Sequence, residues 1–229
     1  MTAILFHHPF ACSLASVITA AEGDTDIDIQ FANVFTKEIQ GGGSLFDYNP
    51  LGQVATLQTE AGEVITENSA ILMWIQDHAR NPDFKRENGT KDYYQILRWL
   101  GFCGTEMHKS VIWPIMNNAA ASEQEKAQSR AKERLTFLDL HLGDRQYLVG
   151  DQVSAADAYL YWVLNISSFA KIDISAYVSI GTYLERLEAR TAFSSARTKD
   201  LERGLEMSKS ITNWEPVKNP VLVAERPTA

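Results

Sequence analysis

Cys12 and Ser13 stand side by side where a short apolar run, Ala3-Ile4-Leu5-Phe6, passes through His7-His8-Pro9 into an amphipathic stretch. Backbone N–H groups at a helix start lack intrahelical partners and carry partial positive charge, so they favour an anion beside them. A thiol in that setting can have its pKa drawn down toward neutrality, and the thiolate is the reactive form. The residues thus predict a thiol site near the beginning of the chain. The other cysteine, Cys103, falls on an apolar stripe with Ile96, Leu100 and Met107 and reads as core. No set of His, Cys and carboxylate residues has metal-ligand spacing.

The elements that must position this thiol follow from periodicity. Ala3 to Phe6 reads as a strand covered on both faces, and Pro9 ends it. Ser13 to Glu22 carries Leu14, Val17, Ile18 and Ala21 at helical spacing, with Gly23 as the stop. Asp26 to Phe31 alternates polar and apolar residues, predicting a second strand with one buried face. A strand, helix and strand of these lengths form a βαβ unit with parallel strands. Residues 36–49, with Gly41-Gly42-Gly43-Ser44, predict a mobile loop holding at most a helical turn. Val54 to Thr59 and Glu63 to Thr66 form a hairpin, and Ile71, Trp74, Ile75 and His78 mark a helix that begins near Asn68 and Ser69.

Residues 81–89 read as a linker, and beyond it the pattern is helical throughout. Ile96, Leu100, Cys103, Met107 and Val111 form the stripe of a long helix that Pro114 kinks or brings to its end. Ala131, Leu135, Leu138 and Leu142 form the stripe of a second, which should pack antiparallel to the first. Ser154-Ala155-Ala156-Asp157 is a capping box with Asp in place of the usual Glu. The apolar run from Tyr159 to Leu164 behind it predicts a buried central helix whose aromatics are core. Tyr183 to Ala189 and Ala192 to Leu205 suggest two more helices, and residues 208–229, with three prolines, an extended tail anchored by Trp214.

The net charge is −8, 45% of the residues are hydrophobic and 22% charged. That composition suits a soluble globular chain, and the acidic balance argues against nucleic-acid and anionic-membrane surfaces. Two cysteines far apart point to a reducing compartment, and no apolar run approaches the roughly 18 residues of a membrane span. A cytoplasmic location is expected, with small molecules as partners.

A β-α-β, loop, β-β-α unit with a thiol at its first helix start, followed by an all-helical unit, resembles the cytosolic glutathione transferases. Ala11-Cys12-Ser13-Leu14-Ala15-Ser16 is similar to the signature of their bacterial beta class. The resemblance implies a thioredoxin-like, glutathione-binding domain at residues 1–80, a linker at 81–89, an all-helical domain at 90–207 and a tail at 208–229. It implies that Cys12 faces the glutathione sulfur, with Ser13 as the competing activator and His108 assisting from Glu106-Met107-His108-Lys109. Asn49-Pro50-Leu51-Gly52-Gln53-Val54 resembles the approach to the family's third strand, where Gln53 and Val54 would contact glutathione and Val54 would pair its backbone with the cysteinyl unit. Thr66-Glu67-Asn68-Ser69 resembles the motif for the γ-glutamyl end, with Glu67 on the α-amino group and Asn68 at the α-carboxylate. Lys37 matches a lysine on the glycyl carboxylate, Lys109 would lie near the thiol, and His7 stands where other classes carry a catalytic tyrosine, as a second base. Three positions depart from the pattern: Ala55 where a cis-proline is usual, Asn68 where a serine is common, and Gly101 where a polar side chain often reaches the partner subunit.

The function so implied is conjugation of glutathione, the co-substrate, to a small hydrophobic electrophile held between the two domains of a homodimer. The alternatives are thiol-disulfide exchange or deglutathionylation at Cys12, and a ligand carrier or structural protein without turnover, which Ala55 and Gly101 motivate. The tail could fold over the cleft.

Overall fold

β1 (Ala3–His7) lies at the centre of a four-stranded sheet of order β2-β1-β3-β4, in a computed structural model that describes residues 2–210. β2 (Ile27–Phe31) runs parallel to β1, with Leu5 beside Ile29. β3 (Thr56–Gln58) is antiparallel to β1, with Leu5 beside Leu57, and β4 (Val64–Thr66) closes the hairpin. Alternate residues of β1 point to opposite faces, and each face has its own cover. Leu5 packs with Ala20, Leu57, Ile71 and Ile75 under α1 (Ser13–Gly23) and α2 (Asn68–Asp77). Phe6 packs with Ala32, Ile39 and Leu45 on the other side.

The second cover corrects the reading of residues 36–49 as a mobile loop. The segment holds a 3-10 turn at Leu45–Asp47 and two isolated bridges, Ala32 to Ile39 and Glu38 to Ser44. It closes the face of the sheet that no helix reaches, with Tyr48 set 4.5 Å from the Phe6 ring. Two smaller expectations also change. β2 is an edge strand, so Ile29 is 42% exposed instead of facing a core. The left-handed residue that ends α1 is Asp24 (φ 49°), not Gly23. Gly23 serves packing, because a Cβ there would lie 3.0 Å from that of Ala79.

After α2 the described residues contain helices and connections but no strand. α3 (Lys91–Gly101) continues without a break into a π-helical segment, Phe102–Ile112, and a short α4 (Trp113–Met116), so the long helix ends two residues past Pro114. Its stripe of Ile96, Leu100, Cys103, Met107 and Val111 is buried, as are Ala131, Leu135, Leu138 and Leu142 of α5 (Ala121–Leu142). α7 (Val178–Glu188) and α8 (Thr191–Ser210) complete the set. α8 runs through the first three residues assigned to an extended tail; the remainder, with Trp214, lies outside the described residues.

α6 (Ala155–Ser167) is the buried centre, with Tyr159 to Leu164 at most 4% exposed. Burying a helix start leaves N–H groups that only protein can satisfy. Asp157 Oδ2 accepts from the Ser154 N–H (2.8 Å) and hydroxyl (2.7 Å), while its Oδ1 accepts from Leu148 N–H and Tyr183 O–H, both at 2.9 Å. From α2, Gln76 Oε1 accepts the Ala155 N–H at 3.0 Å. One carboxylate thus ties the start of α6 to α7 and to the connection from α5. Replacing Asp157 by Ala strands several buried donors at once, and urea denaturation is expected to show a loss of about 3–5 kcal/mol.

Candidate active site

Four pieces of chain meet around Cys12, the residue that caps α1. Its Sγ lies 3.7 Å from the carbonyl oxygen of Val54, just ahead of β3. The Val54–Ala55 peptide is cis. The β1–β3 ladder ends at Phe6 and Thr56, so the Val54 backbone lies just beyond the paired residues. Asn49 and Thr56 hold the neighbouring Gln53 carbonyl at 3.0 and 2.8 Å, which leaves the exposed Gln53 side chain free of that task.

The start of α2 is the third piece. Glu67 caps it in a left-handed conformation (φ 67°), and its exposed side chain makes no capping hydrogen bond. Asn68 is different. Its Nδ2 donates to the Cys12 carbonyl (3.2 Å) and its Oδ1 accepts from Ser16 (2.8 Å), so the amide is used in joining α2 to α1. This bridge uses one N–H of the Asn68 amide, and Nδ2 carries a second.

The π-helical segment brings the fourth piece, His108 and Lys109. His108 Nδ1 is 3.2 Å from the Tyr159 hydroxyl, and its ring packs edge-on to Trp162 at 4.6 Å. Lys109 Nζ sits 4.2 Å from the centre of the Trp113 ring, and its charge is felt at Cys12.

The electrostatics correct the expectation of a thiol drawn down toward neutrality. Cys12 is partly exposed, yet the desolvation of its sulfur pushes the thiol up to about 11. The Ala55 and Cys12 backbone groups and Lys109 pull the other way and do not prevail. This environment favours the thiol over the thiolate. His108 moves down to about 4 because burial disfavours its cation and Lys109 repels it, so it is neutral at pH 7 and acts as a dipole, not as His⁺. His8 is likewise held to about 4 by burial.

Three further residues do not face this cleft freely. Ser13 is fully buried and turned to His7 and His8: its Oγ is 2.9 Å from His7 Nδ1 and accepts the His8 N–H at 3.3 Å. This corrects its assignment as an activator competing with Cys12. His7 is occupied as well, with Nε2 3.0 Å from Asp200 Oδ1 on α8. The Lys37 ammonium donates to the Val34 and Gly52 carbonyls at 2.6 and 2.8 Å, and desolvation lowers its pKa. It pins the loop that leads to Gln53 and keeps one N–H for a ligand.

The sequence reading missed Tyr159, Trp162, Ser16 and Asp200. Tyr159 and Trp162 are core by burial, but each has a polar tip that must find a partner, and this was the available signal. Nothing local distinguishes Asp200 from its charged neighbours on α8.

The comparisons with known proteins give the family. Residues 102–191 match the family model for "Glutathione S-transferase, C-terminal domain". Glutathione S-transferase GstA of Escherichia coli O157:H7 is 27% identical over 192 residues, which cover 84% of this chain and 96% of that one. A sphingomonad glutathione S-transferase solved in complex with glutathione is 31% identical, with a TM-score of 0.80 over 86% of this chain and 98% of its own. The chain belongs to the glutathione S-transferase family. A bacterial beta-class glutathione S-transferase from Sphingomonas chungbukensis, 32% identical with a TM-score of 0.79, also spans 86% of this chain and 98% of its own. The thioredoxin-like first part and helical second part are those of this family, whose enzymes take glutathione as co-substrate. No described helix is long and apolar enough to cross a membrane.

Two measurements follow from the shifted groups. The alkylation rate of Cys12 by iodoacetamide in the ligand-free transferase should rise with pH past 9 without a plateau near neutrality. Only roughly one thiol in ten thousand is ionised at pH 7 when the pKa is near 11. His108 takes up a proton on unfolding below its ordinary value of 6.5 and in the folded state only near 4. Stability is therefore full above about pH 6.5 and falls as pH drops toward 4. A His108→Gln variant should lose about 2 kcal/mol less than wild type between pH 7 and pH 5 in urea titrations.

Proposed function

We propose that this transferase joins glutathione to small, apolar electrophiles through a glutathione thiolate that Cys12 stabilises as a hydrogen-bond donor. The observation that carries the reading is the place of Cys12, at the start of α1 with its Sγ 3.7 Å from the Val54 carbonyl, where burial favours the protonated sulfur that can donate to a neighbouring anion. A nucleophilic Cys12 would need the opposite shift.

Glutathione is peptide-like, and the Val54 backbone, which lies outside the paired residues of the ladder, suits pairing with its cysteinyl backbone. The free carboxylate of Glu67 suits its α-amino group, and the first N–H groups of α2 suit its α-carboxylate. The remaining N–H of Lys37 and the side chain of Gln53 serve the glycyl end. This places the sulfur near Cys12, Lys109 and the pair His108–Tyr159. The thiol proton leaves to solvent. A sulfur lone pair then forms the C–S bond while the electrophile's leaving group departs with the electrons of its own bond, and the aromatic edges of Trp113, Tyr159 and Trp162 suit an apolar acceptor.

A homodimer is also proposed. Tyr94 and Leu97 of α3 and Phe137 and Leu140 of α5 are all exposed and apolar, and their burial would favour pairing of two chains. Light scattering at micromolar concentration should give the mass of two chains; the mass of one would contradict it.

Calorimetry is expected to show glutathione binding at millimolar concentration or below, and absence of binding would overturn the reading. Cys12→Ala should keep that binding and slow conjugation to an electron-poor aryl halide by about tenfold, the worth of one hydrogen bond to a charged group. If instead the variant conjugates at the wild-type rate while reduction of a glutathionyl mixed disulfide is abolished, Cys12 serves thiol-disulfide exchange.

A further inference from the structure

Asp200 projects from α8 into the connection between β1 and α1, and its side chain is only 4% exposed. Its Oδ2 accepts the N–H of Phe10 at 3.0 Å. Its Oδ1 lies 3.0 Å from His7 Nε2 and has no well-aligned hydrogen bond among the described residues. A buried carboxylate oxygen needs a donor, and two lone pairs do not face each other at that distance, so Nε2 carries a proton. In the neutral ring Nδ1 is then an acceptor, and the Ser13 hydroxyl 2.9 Å away supplies the donor. The Ser13 oxygen in turn accepts the His8 N–H at 3.3 Å. One carboxylate on a distant helix thus stands at the end of a path that runs from His7 through Ser13 to the His8 backbone.

The same connection is gripped a second time at Phe10, which adopts a left-handed conformation (φ 63°). Its carbonyl accepts from Trp162 Nε1 at 3.0 Å, and its ring packs against Phe169 at 5.4 Å. The ring also fills the space above Gly204, where an added Cβ would come within 2.2 Å of it. α6 and α8 therefore hold His7 and Phe10, which lead into Cys12, while Val54, Glu67 and the start of α2 belong to other contacts.

We infer that Asp200 is a positioning residue for the reaction at Cys12. By fixing the His7 Nε2 proton and the Phe10 amide, it orients the first turn of α1 and sets the Cys12 sulfur against Val54. The inference rests on the proposal that Cys12 meets the glutathione sulfur.

Asp200→Asn tests it with little change of shape. The amide oxygen can keep the Phe10 N–H, but its NH₂ then faces His7 and forces Nε2 to accept. The ring proton moves to Nδ1 and donates to Ser13, whose hydroxyl must turn to the His8 carbonyl at 3.5 Å. Nitrogen-15 NMR of labelled histidine is expected to report this move of the His7 proton. kcat for conjugation should fall about tenfold through misplacement of Cys12, while KM for glutathione stays within about twofold because its binding groups are untouched. Alkylation of Cys12 in the absence of glutathione should become roughly threefold faster as the turn loosens.

A folded variant with the proton moved but wild-type kcat and alkylation overturns the inference, and so does a loss confined to KM. If Asp200→Asn does not fold, His7→Gln leaves Asp200 on Phe10 and carries the same kinetic and alkylation readouts, with the same expected and overturning results. Should the wild-type protein show no conjugation at all, the proposed function fails, while the tautomer and the alkylation rate still decide the role of Asp200.

Discussion

α1 has to serve two cores at once, and most of the structure follows from that constraint. One side of it packs on the sheet and α2, with Ala20 beside Leu5 and Ile71, and the other joins the large helical core through Leu14, Ala15 and Ile18. A helix covered so widely can approach its neighbours only where its residues are small, which accounts for Ala15, Ser16, Thr19, Ala20 and Gly23 among its buried positions. Polar members of that set need internal partners. Thr19 donates to the Ala15 carbonyl at 2.7 Å and Ser16 to Asn68 at 2.8 Å. The bridge through Asn68 to the Cys12 carbonyl then couples the starts of α1 and α2, the two helix ends that frame the site.

The helical half meets this constraint with charges that are few and well partnered. Glu22 near the end of α1 is 7% exposed on its side chain and receives both Nε and Nη2 of Arg190 at 2.7 Å. A bidentate pair of this kind fixes geometry as well as charge. With Asp200 at the other end of α1, the helix is held at both termini by groups from the α7–α8 region. Asp157 plays the equivalent part for α6, and through Gln76 the start of α6 is also tied to α2. A shift of α8 or α6 would therefore be felt at the thiol.

The sequence made the elements legible where a period was sustained, as in β1, the stripes of α3 and α5, and the apolar run of α6. It also showed Ser154 and Asp157 as a cap, because both members lie within three residues. It failed where the deciding partner is remote. The loop around Ile39 and Leu45 has no period, yet it covers the Phe6 face of the sheet, a role set by the topology that leaves that face without a helix. Ser13 and Asn68 look like ligand donors in isolation, and only the fold shows that His7, His8, Ser16 and the Cys12 carbonyl already engage them. The thiol pKa is hidden for a related reason: the helix start is visible in the sequence, whereas the burial that outweighs it comes with packing against the large helical core.

This outcome bears on how the site can hold an anion. Of the charged groups close to Cys12, Lys109 is the cation, Glu67 is an anion, and His108 and His8 are neutral at pH 7. His108 and His8 thus supply no cation to stabilise a thiolate, and one lysine shared with the Trp113 ring is a modest source of potential. The remaining sources are fixed dipoles: the N–H groups at the start of α1, the S–H of Cys12 and the hydrogen-bonded pair of Tyr159 and His108. Dipoles act only when correctly aimed, because their fields fall off faster with distance and angle than that of a charge. A site built this way depends on rigidity more than on charge, which is consistent with the number of contacts, from Trp162, Asp200, Phe169 and Asn68, that converge on the few residues around Cys12.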